Sequence, residues 1–442
     1  MTPRRSNVLG SAILAVLLGC ALAACEMRKA PRSAPPDVIL IVVDSLRADR
    51  VRRALDGDGR MPNLARFAED AVVYERATSP ATWCVPAHAA LFTGRWPSFH
   101  GAERRFRDGE EWVAPIDAEA RTLAELLRER GMRTAAFVPG RTDLASTLGF
   151  DRGFDDWVDD ARLAQSAGFV PAIARWLALR PGPVFLLVGI DDLRRAKVPA
   201  EGGGLQLVSR AELTNLRARH GGISDQERLE LAESYDSGLE AVDRTIGELL
   251  GALQAEGRYA DALIIVTADH GELLGEQNLV GHGWPPYEGA VNVPLIVKYP
   301  RGERAGERVD RRISALGIFA TVLEQVDVPL PDGAQARPLD DRHPVWVEDV
   351  DRQGRRLRAG YDGLRKKIIR VTDGEQIDIA CVYDMYNDAE ERRPECGGPE
   401  GPLHGAMASF SQKPRPGQPS SGLARAGDER RNPPERPERA PN

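Results

Sequence analysis

The chain has no basic excess, no long apolar run, no internal repeat and few cysteines. Its 442 residues carry a formal net charge of −7, with 59 Lys and Arg set against 66 Asp and Glu. A nucleic-acid partner would call for a clustered positive excess, so this balance argues against one. The one sustained apolar stretch, Val8 to Leu22, is short and rich in Ala and Gly. A membrane-spanning helix needs about 20 mostly apolar residues, so this stretch does not read as one. Of the 5 cysteines, Cys84, Cys381 and Cys396 lie beyond the first 25 residues. In an oxidising compartment Cys381 and Cys396 can pair, which leaves Cys84 single, as a reactive or modified thiol should be. Two cysteines in one region can equally stay unpaired.

What is present begins with an address. Residues 1–25 read as an export signal, with Arg4 and Arg5 before the apolar stretch. Its end, Leu22-Ala23-Ala24-Cys25, resembles a bacterial lipobox. Cleavage there would leave Cys25 as the lipidated first residue, anchored to a membrane at the periplasm or cell surface. A plain signal peptide with an Ala-x-Ala-like site is the alternative. Residues 26–36 read as a flexible tether, and the tail 401–442 as disordered. Between them is enough chain for one large α/β domain, 37–330, and a smaller sheet subdomain, 331–400.

Two buried strands end in chemistry. Asp37 to Val43 is a continuous β-branched run that delivers Asp44 at its C-terminal edge. Ala262 to Ala268 does the same for Asp269-His270-Gly271. Ligands of open α/β sheets collect at such edges. A carboxylate there suits a hard cation, and an Asp with a His suits a divalent metal. A helix cap and a core histidine would read the same way in isolation. Between the two strands lies Thr82-Trp83-Cys84-Val85-Pro86-Ala87-His88, then Leu91 to Gly94. Pro86 presets a first helical turn and Gly94 can end the helix. A thiol at a helix N-terminus is acidified, although most lone cysteines are inert and buried. Asp225 to Gln254 reads as a long helix with Tyr235, Leu239, Val242, Ile246 and Leu249 on its core face. Strands are expected at 72–74, 133–138 and 183–193, and a helix at 122–130.

These landmarks resemble the sulfatase branch of the alkaline-phosphatase superfamily. Cys84, Pro86, Leu91, Thr93 and Gly94 follow its Cys-x-Pro-x-Arg…Leu-x-Thr-Gly pattern, with His88 where the Arg stands. Met61-Pro62-Asn63-Leu64, Gly149-Phe150-Asp151, Tyr235-Asp236, Asp269-His270-Gly271, Gly281-His282-Gly283, Tyr287-Glu288 and Val382-Tyr383-Asp384 follow in the family's order. The resemblance covers roughly residues 36–392. It implies a mostly parallel central sheet flanked by helices, with a small C-terminal antiparallel sheet, and a helix over 311–328. It also implies one divalent metal on Asp44, Cys84, Asp269 and His270, calcium by family habit. By resemblance Cys84 is the nucleophile, oxidised in the family to formylglycine. His282 touches the substrate oxyanion or protonates the leaving group. The implied partner is a small-molecule or glycan sulfate ester.

The chain departs from the pattern at several positions. His88 replaces the Arg, and Ser45 follows Asp44 where many members have a second Asp. A Lys and two His that grip the anion elsewhere are missing, with Arg141 a candidate replacement cation. A His ligand and one carboxylate fewer favour manganese or zinc over calcium. Three readings follow: a sulfuric ester hydrolase, a phosphoester or phosphonate ester hydrolase on the same site, or an inactive lipoprotein of this fold that binds a partner or glycan. Segments 101–120 and 195–228 are expected to face the substrate.

Overall fold

The computed structural model describes residues 34–107, 109–138, 140, 142–160, 166–194, 197–199, 205–207, 222–283, 285–342, 344–351, 354–362, 365–371 and 377–397. The leader with Cys25, most of the tether, Arg141, most of 195–221 and the tail lie outside the described residues. Among the described residues no helix is long and apolar enough to cross a membrane.

The centre is a nine-stranded sheet. Its strands are β1 (Val38–Val43), β2 (Val72–Thr78), β3 (Arg133–Val138), β4 (Asp156–Asp159), β5 (Val184–Ile190), β6 (Leu263–Ala268), β7 (Asn292–Val293), β8 (Leu295–Lys298) and β9 (Arg308–Ser314). They are ordered β7-β2-β8-β6-β1-β5-β3-β4, with β9 beside β2. The run β6-β1-β5-β3-β4 is parallel throughout, and β8 turns antiparallel against β6. The three central strands are buried along their whole length, which is why they are continuous apolar runs rather than alternating ones. The mostly parallel, helix-flanked sheet is the architecture that the sequence implied.

Four helices matter to the site: α1 (Pro62–Glu69), α2 (Cys84–Thr93), α3 (Asp225–Ala255) and α4 (Gly317–Gln325). Ser224 opens α3 with a capping box to Glu227, which supplies two of the orphan N–H partners a helix start needs. The expected apolar face of α3 is buried. Its Asp243 accepts from the backbone N–H of Asn63 and Leu64, at 3.1 and 2.8 Å. The start of α1 has no side-chain cap of its own, so α3 caps it from outside.

Two expectations need correction. The segment 311–328 is not one helix: Arg308–Ser314 is β9, and the helix begins only at Gly317. Ile313 and Ser314 are buried beside β2, Arg311 and Arg312 are half-buried, and Arg308 is exposed. That half-buried edge outcompetes helix formation. Strand β2 also runs on to Thr78 rather than stopping at Tyr74, and so carries the chain directly to the turn before Cys84.

A second, antiparallel sheet follows: β10 (Trp346–Val350), β11 (Arg356–Asp362), β12 (Arg365–Val371), β13 (Ile377–Asp384) and β14 (Glu395–Gly397). Cys381 and Cys396 are register partners on β13 and β14 and form a disulfide. This sheet docks on the first through buried ions. Glu348 accepts from Ser98 N at 2.9 Å and pairs with Arg358 at 2.7 Å. Arg356 grips both carboxylate oxygens of Glu103 at 2.8 Å. Between Gly101 and Ala120 the chain forms a hairpin, Arg104–Arg107 with Glu110–Val113.

Candidate active site

The register of β1 and β6 explains why two distant motifs meet. Val43 pairs with Ala268, so the next residues, Asp44 and Asp269, leave the sheet side by side. Ser45 adopts a left-handed conformation, φ 64°, sparsely populated for a residue with a Cβ and a hallmark of functional turns. The turn aims Ser45 N at Asp269 Oδ1, 3.2 Å away, and lets the Ser45 hydroxyl donate to Asp44 Oδ1 at 2.7 Å. Tyr235 of α3 locks it by donating to Ser45 O at 2.8 Å.

The turn that leads into Cys84 is tied to the same edge. Ser79, just past β2, donates through its hydroxyl to Asp269 O at 2.5 Å. Gly283 N donates to Thr82 O at 2.8 Å. Trp83 precedes α2, and Cys84 is its first residue, where the helix dipole favours negative charge. Gly94 closes the helix at φ 62°. The Asp349 carboxylate of β10 accepts from Thr82 and from Trp83 Nε1, the latter at 3.1 Å. The second sheet therefore braces the turn.

Asp44, Cys84, Asp269 and His270 converge, with one ligand atom from each inside 4.8 Å of all the others, and all four are buried. Cys84 Sγ is 3.2 Å from His270 Nε2, which is 3.6 Å from Asp44 Oδ1 and 3.4 Å from Asp269 Oδ2. His270 Nδ1 lies 2.7 Å from Gly271 O. A carbonyl only accepts, so Nδ1 carries a proton and Nε2 is the nitrogen that faces the cluster. Asp269 Oδ1 accepts from two backbone N–H groups, whereas the buried Oδ2 has no hydrogen-bond partner among the described residues. Burial drives His270 towards neutrality, but Asp269, Cys84 and Asp44 outweigh it and raise its pKa well above the ordinary value. A concentration of negative charge strong enough to hold a proton there is also a cation site. Two carboxylates, an imidazole and a sulfur fit one divalent ion.

His282 stands beside this cluster. Its ring lies 4.4 Å from that of His270, and it forms a second converging group with Cys84 and His270. Its Nδ1 is 3.0 Å from Glu272 Oε2. Burial pushes Glu272 up, but His282 prevails and holds its carboxyl below the ordinary 4.5. The ionised carboxylate accepts only, so His282 Nδ1 is the donor and Nε2 is aimed away from Glu272. His88 lies one turn along α2, its Nδ1 3.0 Å from Cys84 O and 3.4 Å from Asp269 Oδ2. It therefore touches both the Cys84 backbone and a carboxylate of the cluster. His100 is buried, bonded to Pro86 O, and burial lowers its pKa to about 3, so it is a neutral structural group.

The candidates therefore divide. Asp44, Cys84, His88, Asp269, His270 and His282 are brought together, whereas Cys381 and Cys396 are remote from them in the second sheet. Sequence reasoning passed over Glu272, although it stands two residues after His270. It also passed over Asp349, for which no local signal exists. A cavity of about 920 Å³ opens beside Arg47, Glu276, Tyr287 and Gly289, and none of the four cluster residues lines it. It backs onto the site through Arg47, which donates to Glu272 O at 2.8 Å.

Known proteins share the sequence pattern and the fold. A family model described as Sulfatase matches residues 36–169 and 183–328. The steryl-sulfatase of Mus musculus is 26% identical over 474 residues, covering 85% of this chain and 75% of that protein. The ulvan-active sulfatase of Formosa agariphila is 21% identical over 418 residues, covering 84% and 80%. Among solved structures, the phosphonate monoester hydrolase SpPMH of Silicibacter pomeroyi superposes with a TM-score of 0.63 at 19% identity, covering 85% of this chain and 93% of that one.

Proposed function

The chain belongs to the sulfatase family, and on that premise we propose that it hydrolyses sulfate monoesters at the Cys84 centre. Water and the ester give an alcohol and inorganic sulfate. The observation that carries this reading is the buried convergence of Asp44, Cys84, Asp269 and His270, with Asp269 Oδ2 left open towards it.

The residues divide the work. Asp44, Asp269, His270 and the group at position 84 would hold one divalent cation. Bound there, it would acidify the attacking group and offset charge developing on the sulfate oxygens. An unmodified thiol at 84 suits zinc or manganese, and an oxygen group there suits calcium. Formylglycine formed from Cys84 would supply such an oxygen nucleophile. The dipole of α2 and the His88 bond to Cys84 O fix where that group points. His282 is the general acid: Glu272 orients its ring, and Nε2–H gives the proton to the departing alkoxide oxygen. The alcohol is that of a small molecule or a glycan, and the protein works at the cell envelope, held by lipid on Cys25.

A second reading is phosphonate or phosphate ester cleavage, favoured by the likeness to SpPMH and by His88 in place of Arg. Parallel hydrolysis of an aryl sulfate, an aryl phosphate and an aryl phosphonate, with calcium, manganese and zinc in turn, decides between them. Preference for the sulfate is expected. Turnover of the phosphorus esters alone, with none of the sulfate, would overturn the proposal.

A further inference from the structure

Asp44, Asp269 and Glu272 make the site rich in carboxylates, yet the proposed substrate is an anion. A cation offsets part of that charge, but the outer oxygens of a sulfate need donors of their own. Among the described residues, Arg47 reaches Glu272 O, and the rest of its guanidinium is committed to Asp49 and Glu276. Arg104 lies over Trp83 instead.

Arg104 opens the hairpin within 101–120 and is only 7% exposed. Its guanidinium lies 4.3 Å over the ring of Trp83. Nε is 3.2 Å from Glu111 and Nη1 donates to Val350 O at 3.1 Å, with Asp349 at 3.6 Å. Nη2 makes no hydrogen bond to any described residue. It points at Gly283: a Cβ built there would lie 2.9 Å from Nη2. Trp83 directly precedes Cys84, Gly283 directly follows His282, and the two segments are joined by the bond from Gly283 N to Thr82 O. The unused amine therefore ends beside Gly283, next in the chain to the proposed acid, while the guanidinium covers Trp83, next in the chain to the proposed nucleophile. Gly283 has φ 74°. A side chain there would be strained and would also intrude on Nη2.

We propose that Arg104 is a substrate-binding residue whose Nη2 donates to an outer oxygen of the bound tetrahedral oxyanion, with Trp83 as the platform that keeps the guanidinium flat. The proposal rests on the sulfate ester reading above and adds the residue that grips the anion. Buried guanidinium groups recognise sulfate and phosphate by the same charged hydrogen bonds, so both anions probe the same contact. Glu111 is 47% exposed and competes for the same charge.

The test is titration of the intact protein with inorganic sulfate and, separately, inorganic phosphate, using the parent, Arg104→Gln and Glu111→Gln. Melting temperature and bound metal are measured on each. Arg104→Gln is expected to bind the preferred anion about 10- to 100-fold more weakly, the worth of one charged hydrogen bond. Its KM for the ester should rise by a similar factor with metal content unchanged. Glu111→Gln, which leaves the core intact, is expected to bind the anion about twofold or more tightly. Arg104→Gln binding within twofold of the parent, or Glu111→Gln binding more weakly, overturns the assignment. If Arg104→Gln fails to fold, Glu111→Gln decides alone. A parent that binds phosphate but not sulfate refutes the sulfate reading while Arg104 is still judged by the phosphate titration. A parent that binds neither refutes both.

Discussion

The role of Glu272 gives the sharpest mutational test. Glu272→Gln keeps the size of the side chain and removes its charge. The backbone carbonyl of Glu272, which Arg47 holds, is untouched, so the loop stays anchored. What is lost is one charged hydrogen bond to His282, 3.0 Å long and largely buried. Such a bond contributes about 1.5–3 kcal/mol. If it acts mainly when His282 delivers its proton, kcat falls by about 10- to 150-fold while KM changes little. His282 holds the Glu272 carboxyl below 4.5 against the opposing effect of burial. It is therefore ionised throughout the neutral range, so the partner that Gln replaces is a carboxylate at every assay pH. The assay is steady-state hydrolysis of an aryl sulfate, with metal content measured in parallel. Glu272→Asp should recover part of the rate, because a carboxylate remains. An unchanged kcat, or a loss that merely tracks lost metal, would refute the orienting role.

Three further outcomes are expected. Gly271→Ala places a Cβ 2.2 Å from Gly289 O; the backbone must shift, costing about 1–3 kcal/mol in denaturant unfolding and weakening metal retention. Asp349→Ala strands the buried donors of Thr82, Trp83 and Val350. At about 1–3 kcal/mol for each unsatisfied group, it should lower the melting temperature by several degrees and slow turnover by loosening the Cys84 turn. Burial pushes the Glu391 carboxyl up to about 7, against the pull of Lys366 and with Glu288 adding to the rise. An acid whose folded pKa is raised binds its proton more tightly when folded, so its contribution is favourable at low pH and fades as pH climbs from about 4.5 to about 7. Glu391→Gln should therefore lose less stability than the parent between about pH 5 and about pH 8, measured by thermal melting; an equal or larger loss would contradict this.

The elements legible from sequence were those whose residues face the same environment along their length. Strands β1, β5 and β6 are buried on both faces, so their apolar runs announce them, and their edges announce Asp44 and Asp269. Helix α3 is equally plain, with one apolar face and a capping Ser224. Strand β9 was hidden because only its last two residues are buried and its arginines resemble a polar helix start. The convergence of the four candidate ligands was legible only through resemblance, since no local pattern reveals that Val43 and Ala268 are register partners. Glu272, Arg104 and Asp349 act across gaps of ten to more than two hundred residues, at roughly the scale of the whole fold. Their roles depend on the hairpin at 104–113 and on the docking of the second sheet. His88 was identified as a departure from a motif; only its distances to Cys84 O and Asp269 Oδ2 give it a part in holding the centre.

The central claim is that one divalent cation sits among Asp44, residue 84, Asp269 and His270. Anomalous diffraction from crystals of the full chain, grown with manganese or zinc, addresses it directly. The account expects a single strong peak within coordination distance of all four side chains, and its loss in Asp269→Asn. A peak elsewhere, or no peak in crystals whose side chains at these four positions are well ordered, would contradict it.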